Sequence, residues 1–276
     1  MRSAQLAGGP GGFMETKDIT PTRVAGMRGL SHSEATELGK AEHRALVELL
    51  DELSDEDWNT VTDCDPWKVR DIIAHLLGWA EATTSPKVFF AQAKATRRVA
   101  KEFGVKLDAQ NQAGVEMRKD MTPAQLLEAL RRSNPRFMKL RSVLGAAGKP
   151  LPIYNSFLGW TTLGFVADVI FLRDHFMHRI DITRAVGRDF RFLGHEARIV
   201  ADVVRHWNRL AKPNARLVLT GEAGGEFILG TEERSTITGD ALEFCRLMSG
   251  RAEPSAMEVE GDTYAARSYL SVSVPF

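Results

Sequence analysis

The segment FLRDHFMHRIDITRAVG, from Phe171 to Gly187, decides how the rest of the chain is interpreted. Its spacing predicts a helix with Asp174, His178 and Asp181 on one stripe, because residues three and four apart share a helix face. Two carboxylates and an imidazole on an inward face need partners, since unpaired polar groups are costly to bury. A bound metal ion is one such partner.

A second histidine extends this set. His75 lies in the segment DPWKVRDIIAHLLGW, which we predict to be a helix with Asp65 as its N-cap and Pro66 at its first position. A histidine beside an apolar stripe, taken alone, favours a hydrogen-bonded core residue. With Asp174 and His178, however, His75 completes a set of the kind that holds a catalytic zinc ion and leaves one position open. Because Asp-x-x-x-His pairs are also common as salt bridges, spacing alone leaves both interpretations open.

Composition excludes several classes of function. The chain has 276 residues, with 36 basic and 36 acidic side chains and 43% hydrophobic residues. This balance produces no global field toward nucleic acid or an anionic membrane, and no apolar stretch has the length of a membrane span. Cys64 and Cys245 form neither a metal-spaced pair nor a disulfide framework, although a single bridge stays open. We expect a cytoplasmic protein without nucleic-acid or membrane partners.

The order of the predicted elements indicates an α+β protein. Residues 1–30 contain GGPGG and no run of signal-peptide length, so we expect a mobile extension. Helical periodicity dominates residues 31–187, whereas LVLTG, EFILG and STITG in residues 188–276 predict short strands that each end at glycine. We therefore expect a helical domain over 31–187 and a smaller α/β domain over 188–276.

Several local expectations accompany this division. We expect a capped helix from Ser31 to Leu53, and an extended helix or a helix plus turn within residues 83–120. A further helix should start at Thr122, with Pro135 kinking or dividing it and a solvated face formed by Arg131, Arg132, Arg136, Lys139 and Arg141. After a loop over residues 145–159, we expect a helix from Thr161 to Val186 and one last short helix within VEGDTYAARSYL.

Three segments carry a resemblance to a known family. DPWKVRDIIAHLLGW, NQAGVEMRKDMTPAQLLEAL and RDHFMHRIDITRAVG resemble the DinB-like four-helix bundle proteins of actinobacteria, in particular those similar to mycothiol-dependent maleylpyruvate isomerase. LVLTGEAGGEFILG, ITGDALEFCRLMSGR and VEGD are similar to the family's second domain. The resemblance covers nearly everything after residue 31. It implies an up-down four-helix bundle followed by a smaller α/β domain.

The resemblance also implies a site. In the family, a histidine, a glutamate and a second histidine bind a divalent metal, usually zinc, and here His75, Asp174 and His178 stand at those positions. Asp174 is one methylene shorter than glutamate, so either the helices approach more closely, or it binds weakly, or His175 takes part. Asp181 completes the family's His-x-x-Asp pattern and supports the histidine ligand. The arginine that contributes to catalysis in the family corresponds best to Arg251, for which a surface salt bridge is the alternative.

The function implied by the resemblance is thiol chemistry. A metal-bound thiol, mycothiol by resemblance, loses its proton more readily and attacks a small electrophilic substrate. Isomerisation and S-transfer both follow from such an attack, and we favour S-transfer because the fold serves more than one activity. The alternative is a non-catalytic protein, monomer or homodimer like the enzyme, that binds a small ligand and keeps the polar residues as a structural network.

Overall fold

The computed structural model describes residues 20–101, 106–155 and 158–276. Within these ranges the α-helices are α1 (His32–Asp51), α2 (Val69–Thr84), α3 (Pro86–Val99), α4 (Lys106–Glu116), α5 (Pro123–Ala147), α6 (Leu163–Phe165), α7 (Phe171–Ala185), α8 (Glu196–Ala211), α9 (Ala241–Met248) and α10 (Thr263–Leu270). The strands are β1 (Thr22–Arg23), β2 (Pro152–Asn155), β3 (Gly159–Thr162), β4 (Ala215–Thr220), β5 (Gly225–Leu229), β6 (Ser235–Asp240) and β7 (Glu258–Gly261). None of these helices combines the length and hydropathy needed to cross a bilayer.

Helices α1, α2, α5 and α7 form the four-helix bundle. Apolar residues at helical spacing on α1, α2 and α5 build one part of its core, which includes Leu46, Leu50, Ile72, Ile73, Leu76, Leu126 and Leu130. Helices α3 and α4 pack against each other and against the outside of α2. The predicted bundle is therefore confirmed, with α3 and α4 as additions on one side.

The five-stranded sheet has the order β1-β5-β4-β6-β7. Strand β4 pairs parallel with β6 and antiparallel with β5. Helices α8 and α9 cover it, and its core also contains Leu172, Phe176 and Ile180 of α7. The α+β class is confirmed. Helix α7 contributes to both the bundle and the sheet core, and the boundary near residue 187 stays a prediction.

Local capping signals are confirmed at several helix starts. Ser31 accepts a hydrogen bond from the backbone N–H of Glu34 (3.2 Å), whose carboxylate accepts from the N–H of Ser31 (2.8 Å). Asp240 caps α9 by accepting from the N–H groups of Leu242 and Glu243. These side chains satisfy N–H groups that have no partner inside the helix.

The predicted start of α2 is wrong. The helix begins at Val69, and the residues before it form a loop in which Val61 and Lys68 make an isolated antiparallel β-bridge. The N–H of Val69 donates to the carbonyl of Thr60 (3.0 Å). Because this cross-loop pairing uses the backbone groups ahead of the helix, Asp65 and Pro66 lie in a turn.

The predicted division at Pro135 is also wrong, because α5 runs through it as one helix. Packing on both sides of the proline offsets the lost hydrogen bond: Leu130 and Phe137 are both buried. The expectation of a solvated face fails for Arg141, which is buried and donates to the carbonyls of Ala167 and Asp168.

Four further expectations are refined. Residues 83–120 form the separate helices α3 and α4, and residues 145–159 contain part of the β2–β3 hairpin rather than a plain loop. The helix predicted from Thr161 is preceded by β3, and its start is α6 followed by a π-helical segment, Val166–Ile170. Within VEGDTYAARSYL, the first part is β7 and the second is α10.

The N-terminal extension was predicted to be mobile throughout residues 1–30. Its first part, residues 1–19, lies outside the described residues. Thr22 and Arg23, in contrast, pair with Phe227 and Ile228 of β5, and Val24 is buried in the sheet core. Edge pairing and burial therefore correct the expectation for this part of the segment.

Candidate metal centre

Packing of α2 against α7 brings the three predicted ligands together. Asp174 Oδ1 lies 3.5 Å from His75 Nε2 and 3.3 Å from His178 Nε2. One donor atom from each of the three residues lies within 4.8 Å of the other two. Tetrahedral zinc with bonds of about 2.0–2.1 Å requires donors roughly 3.3 Å apart. The spacing at Asp174 thus fits a single ion.

Burial makes this an unusual place for polar groups. His75 and His178 are 4% and 3% exposed, whereas the Asp174 side chain keeps 21% of its surface accessible. The two imidazoles are therefore fixed inside the bundle, and the carboxylate forms the accessible side of the group. Buried groups of this kind need charge partners or a cation.

The buried carboxylate of Asp181 holds His178 by a hydrogen bond on the side of the ring away from Asp174. His178 Nδ1 donates to Asp181 Oδ2 at 3.0 Å, and Asp181 is completely buried. Arg251 Nε donates to both oxygens of Asp181, at 2.9 and 3.1 Å. With its proton held on Nδ1, a neutral His178 directs the Nε2 lone pair toward Asp174, which is the tautomer that a metal ligand requires. Arg251, which follows α9, thereby connects the C-terminal part of the chain to the site.

His75 is held differently. Its Nδ1 is buried and has no hydrogen-bond partner among the described residues. The Trp67 ring covers the imidazole, with ring centroids 5.0 Å apart, and Trp67 Nε1 donates to Gln112 Oε1 at 3.0 Å. Aromatic packing therefore orients His75. The sequence pattern did not predict this role for Trp67, although Trp67 lies in the same segment as His75, DPWKVRDIIAHLLGW.

Charges in the site depend on one another. Burial dominates the pKa of His75 and lowers it. Burial opposes ionisation of Asp174, but both histidines hold the pKa of that carboxyl well below its usual range. For His178, burial is outweighed by the Asp174 charge and by hydrogen bonds, which raise its pKa to about 9. Without an ion, the stable arrangement is therefore a His178 imidazolium beside an Asp174 carboxylate.

The His175 side chain is not part of the group formed by His75, Asp174 and His178. Its Nδ1 donates to the carbonyl of Phe171 at 2.9 Å, and its ring faces His43 with centroids 6.2 Å apart. Among the described residues, the group of potential ligands that contains Asp174 consists of His75, Asp174 and His178. The alternative in which His175 takes part in metal binding therefore receives no support.

The group opens into a cavity of about 330 Å³. Its walls include Cys64, Asp65, Trp67, Leu107, Asp108, Asn111, Gln112, Met177, Arg251 and Phe276. Cys64 and Cys245 are both free thiols, so the single bridge left open by the sequence does not form. Burial raises the pKa of the Cys64 thiol to about 11, which makes it a poor nucleophile.

Comparison with known proteins identifies the family of this chain and two structures with a similar fold. The family described as "Mycothiol maleylpyruvate isomerase N-terminal domain" matches residues 40–183, which include His75, Asp174, His178 and Asp181. The chain belongs to this family. Two crystal structures, of mycothiol-dependent maleylpyruvate isomerase and of a mutant of it, are similar with TM-scores of 0.55 and 0.56. They are 15% and 14% identical to this chain, and each match covers 85% of this chain and 96% of the other. No curated protein matches the chain significantly.

Proposed function

We propose that the protein is a metal-dependent enzyme that joins a small thiol, mycothiol by family membership, to a small electrophile. The observation that carries the proposal is the donor spacing of 3.3 and 3.5 Å around Asp174. The hydrogen bond from His178 to Asp181 adds support, because it selects the metal-binding tautomer.

The residues present fit a divalent ion, and zinc suits two histidines and a carboxylate. His75, Asp174 and His178 would hold it. When bound, the ion supplies the positive charge that stabilises a thiolate at neutral pH. Asp181 keeps the proton on His178 Nδ1, and Trp67 restricts access of water to His75.

Arg251 is the candidate catalytic residue. Its Nε is occupied by Asp181, while the guanidinium also lines the cavity and has Nη2 3.8 Å from Cys64 Sγ. It is therefore anchored on one side and available to an anionic group on the other. Attack followed by bond rotation and elimination is isomerisation, and attack with loss of a leaving group is S-transfer. We propose S-transfer, because one fold serves several reactions.

The alternative is a non-catalytic protein that binds a small ligand in the same cavity. The feature that favours it is the charge pair of His178 and Asp174, which is stable without an ion because the pKa of His178 is raised to about 9. In that case the polar group is structural. The two functions differ in metal content.

Metal analysis of protein purified without chelators separates them. We expect stoichiometric zinc in the wild type and in His43→Asn, which changes a half-buried histidine outside the ligand group. His75→Asn should lose most of the zinc, because it removes a ligand. Zinc-loaded wild type should then accelerate conjugation of mycothiol to an electrophile, and chelation should abolish this. Metal-free wild type that takes up no added zinc would refute the enzyme.

A further inference from the structure

Two cavities meet at the ligand group. Beside the cavity of about 330 Å³ lies a smaller one of about 90 Å³. The two share His75, Leu107, Asn111, Asp174 and Phe276 in their walls. A reaction between two molecules needs two adjoining spaces beside the reacting atoms, and this arrangement provides them.

The smaller cavity is apolar away from the residues that it shares with the larger one. Outside the shared residues its walls are Trp79, Leu158, Val166, Ile170 and Phe171. The indole N–H of Trp79 is satisfied by Asn111 Oδ1 at 3.0 Å. No lysine or arginine is among the described residues that form these walls. Away from the ligand group, a carboxylate placed against these walls would lose its hydration without gaining a cation, whereas an apolar group would gain from burial.

The larger cavity carries more charged groups in its walls than the smaller one. Asp65 and Asp108 offer hydrogen-bond acceptors that the smaller cavity lacks, and Arg251 is the only lysine or arginine among the described residues in the walls of the larger cavity. It therefore suits the polar body of a thiol such as mycothiol. This division leaves the apolar cavity for the second reactant.

Phe276 lines both cavities and is held in place. The guanidinium of Arg173 lies 5.7 Å from the centre of the Phe276 ring, and Arg173 Nη1 donates to the carbonyl of Pro275 at 2.9 Å. The N–H of Val274 donates to the carbonyl of Met248 at 2.8 Å. Arg173 directly precedes Asp174 on α7, so one helix positions both the proposed ligand and the Phe276 ring.

We propose that the electrophile is small, uncharged and apolar, that it binds in the smaller cavity, and that Phe276 determines its maximum size. The proposal rests on the thiol-transfer function proposed above. In the reaction, a sulfur–carbon bond forms while the bond from that carbon to its leaving group breaks. The leaving group departs with the bonding electron pair, and the thiol proton goes to solvent.

The volume of the smaller cavity limits the size of the electrophile. An engineered apolar cavity of about 150 Å³ binds benzene. The smaller cavity, at about 90 Å³, is below that volume. An allyl group should fit beside the intact Phe276 ring, whereas a benzyl group should require removal of part of that ring.

The kinetic test uses zinc-loaded protein, mycothiol and three bromides, with each rate divided by the uncatalysed rate. We expect the rate enhancement with allyl bromide to exceed that with the similarly sized bromoacetate by about tenfold or more, and the rate enhancement with benzyl bromide to be small. Phe276→Ala should raise the benzyl-to-allyl ratio by about tenfold. Phe276→Leu is the milder variant should alanine impair folding. Phe90→Ala, which removes a phenyl ring 70% exposed on α3, should leave the ratio unchanged.

A second readout needs neither metal nor thiol. Benzene binding to the metal-free protein, measured by ligand-detected NMR, should be about tenfold tighter in Phe276→Ala than in the wild type. A preference for bromoacetate, or unchanged benzene binding together with an unchanged benzyl-to-allyl ratio, would overturn the inference while leaving thiol transfer intact. Absence of transfer with all three bromides would instead refute the proposed function, and benzene binding would still decide the role of Phe276.

Discussion

Replacement of Asp181 by asparagine tests the metal centre most directly. The carboxylate is completely buried and faces donors on two sides: His178 Nδ1 at 3.0 Å and Arg251 Nε at 2.9 and 3.1 Å. Asparagine keeps one oxygen and introduces an NH₂ group, so one of these contacts becomes donor against donor. The conflict at His178 is relieved only if the proton moves to Nε2, where the lone pair for the metal is needed.

The magnitude follows from this conflict. Loss of the group that orients a metal-binding histidine weakens metal affinity by about 10- to 100-fold. We expect the upper part of that range for Asp181→Asn, equivalent to about 2.7 kcal/mol. Stability should fall as well, by about 2–3 kcal/mol, because Arg251 loses its buried charge partner.

The assay is a zinc competition titration against a chromophoric chelator at one fixed pH, with urea unfolding of the metal-free proteins measured in parallel. Glu196→Gln is the matched control. Glu196 is also a buried carboxylate that accepts from an arginine, with Arg179 Nη2 at 2.7 Å. The control should lose comparable stability and keep wild-type zinc affinity. Equal zinc affinity in Asp181→Asn and wild type would refute the proposed role of the hydrogen bond.

Three further predictions concern other positions. Asp174→Glu should weaken zinc binding about tenfold and Asp174→Ala more strongly, measured by the same titration, because Asp174 already lies at ligand distance and the longer side chain crowds the ion. Burial, followed by the charge of His175, lowers the pKa of His43 from 6.5 to about 3. Between these two pH values the unfolded chain binds a proton that the folded chain does not, so the free energy of unfolding should fall as the pH drops below 6.5. The slope of this fall should approach about 1.4 kcal/mol per pH unit. Urea unfolding between pH 7 and pH 4 should therefore show a shallower decline in His43→Asn. Arg141→Met should cost about 2–3 kcal/mol in urea unfolding because two backbone carbonyls lose a buried donor, whereas Arg136→Met on the exposed face should cost little.

The sequence carried the information for the elements whose signals are local. The stripe of Asp174, His178 and Asp181 follows from helical spacing, and Ser31 follows from a capping box. Residue chemistry made His75 a candidate and the resemblance assigned it to the metal, although it lies on another helix and has no local link to the stripe. In the structure these side chains lie close together, and their role in binding a metal stays a prediction.

The errors arose where distant parts of the chain decide local structure. Arg141 carries a charge in a pattern typical of a solvated face, but irregular backbone at Ala167 and Asp168 presents carbonyls to it. The pairing of Thr22–Arg23 depends on an available edge at β5, which lies about two hundred residues later in the chain. Periodicity describes the faces of one element and does not identify which partner will cover them.

Helix α7 explains why the site needs both parts of the chain. One side of it presents Asp174 and His178 to α2, and another packs Phe176 into the sheet core. The part of the chain after β6 brings two residues to the same helix: Arg251 donates to Asp181, and the Phe276 ring packs on the guanidinium of Arg173. The proposed roles of Asp181 in orienting a ligand and of Phe276 in limiting cavity size therefore both depend on how the sheet and its helices pack on α7. Changes at the interface with the sheet should consequently affect zinc affinity and electrophile size together, even where no ligand is replaced.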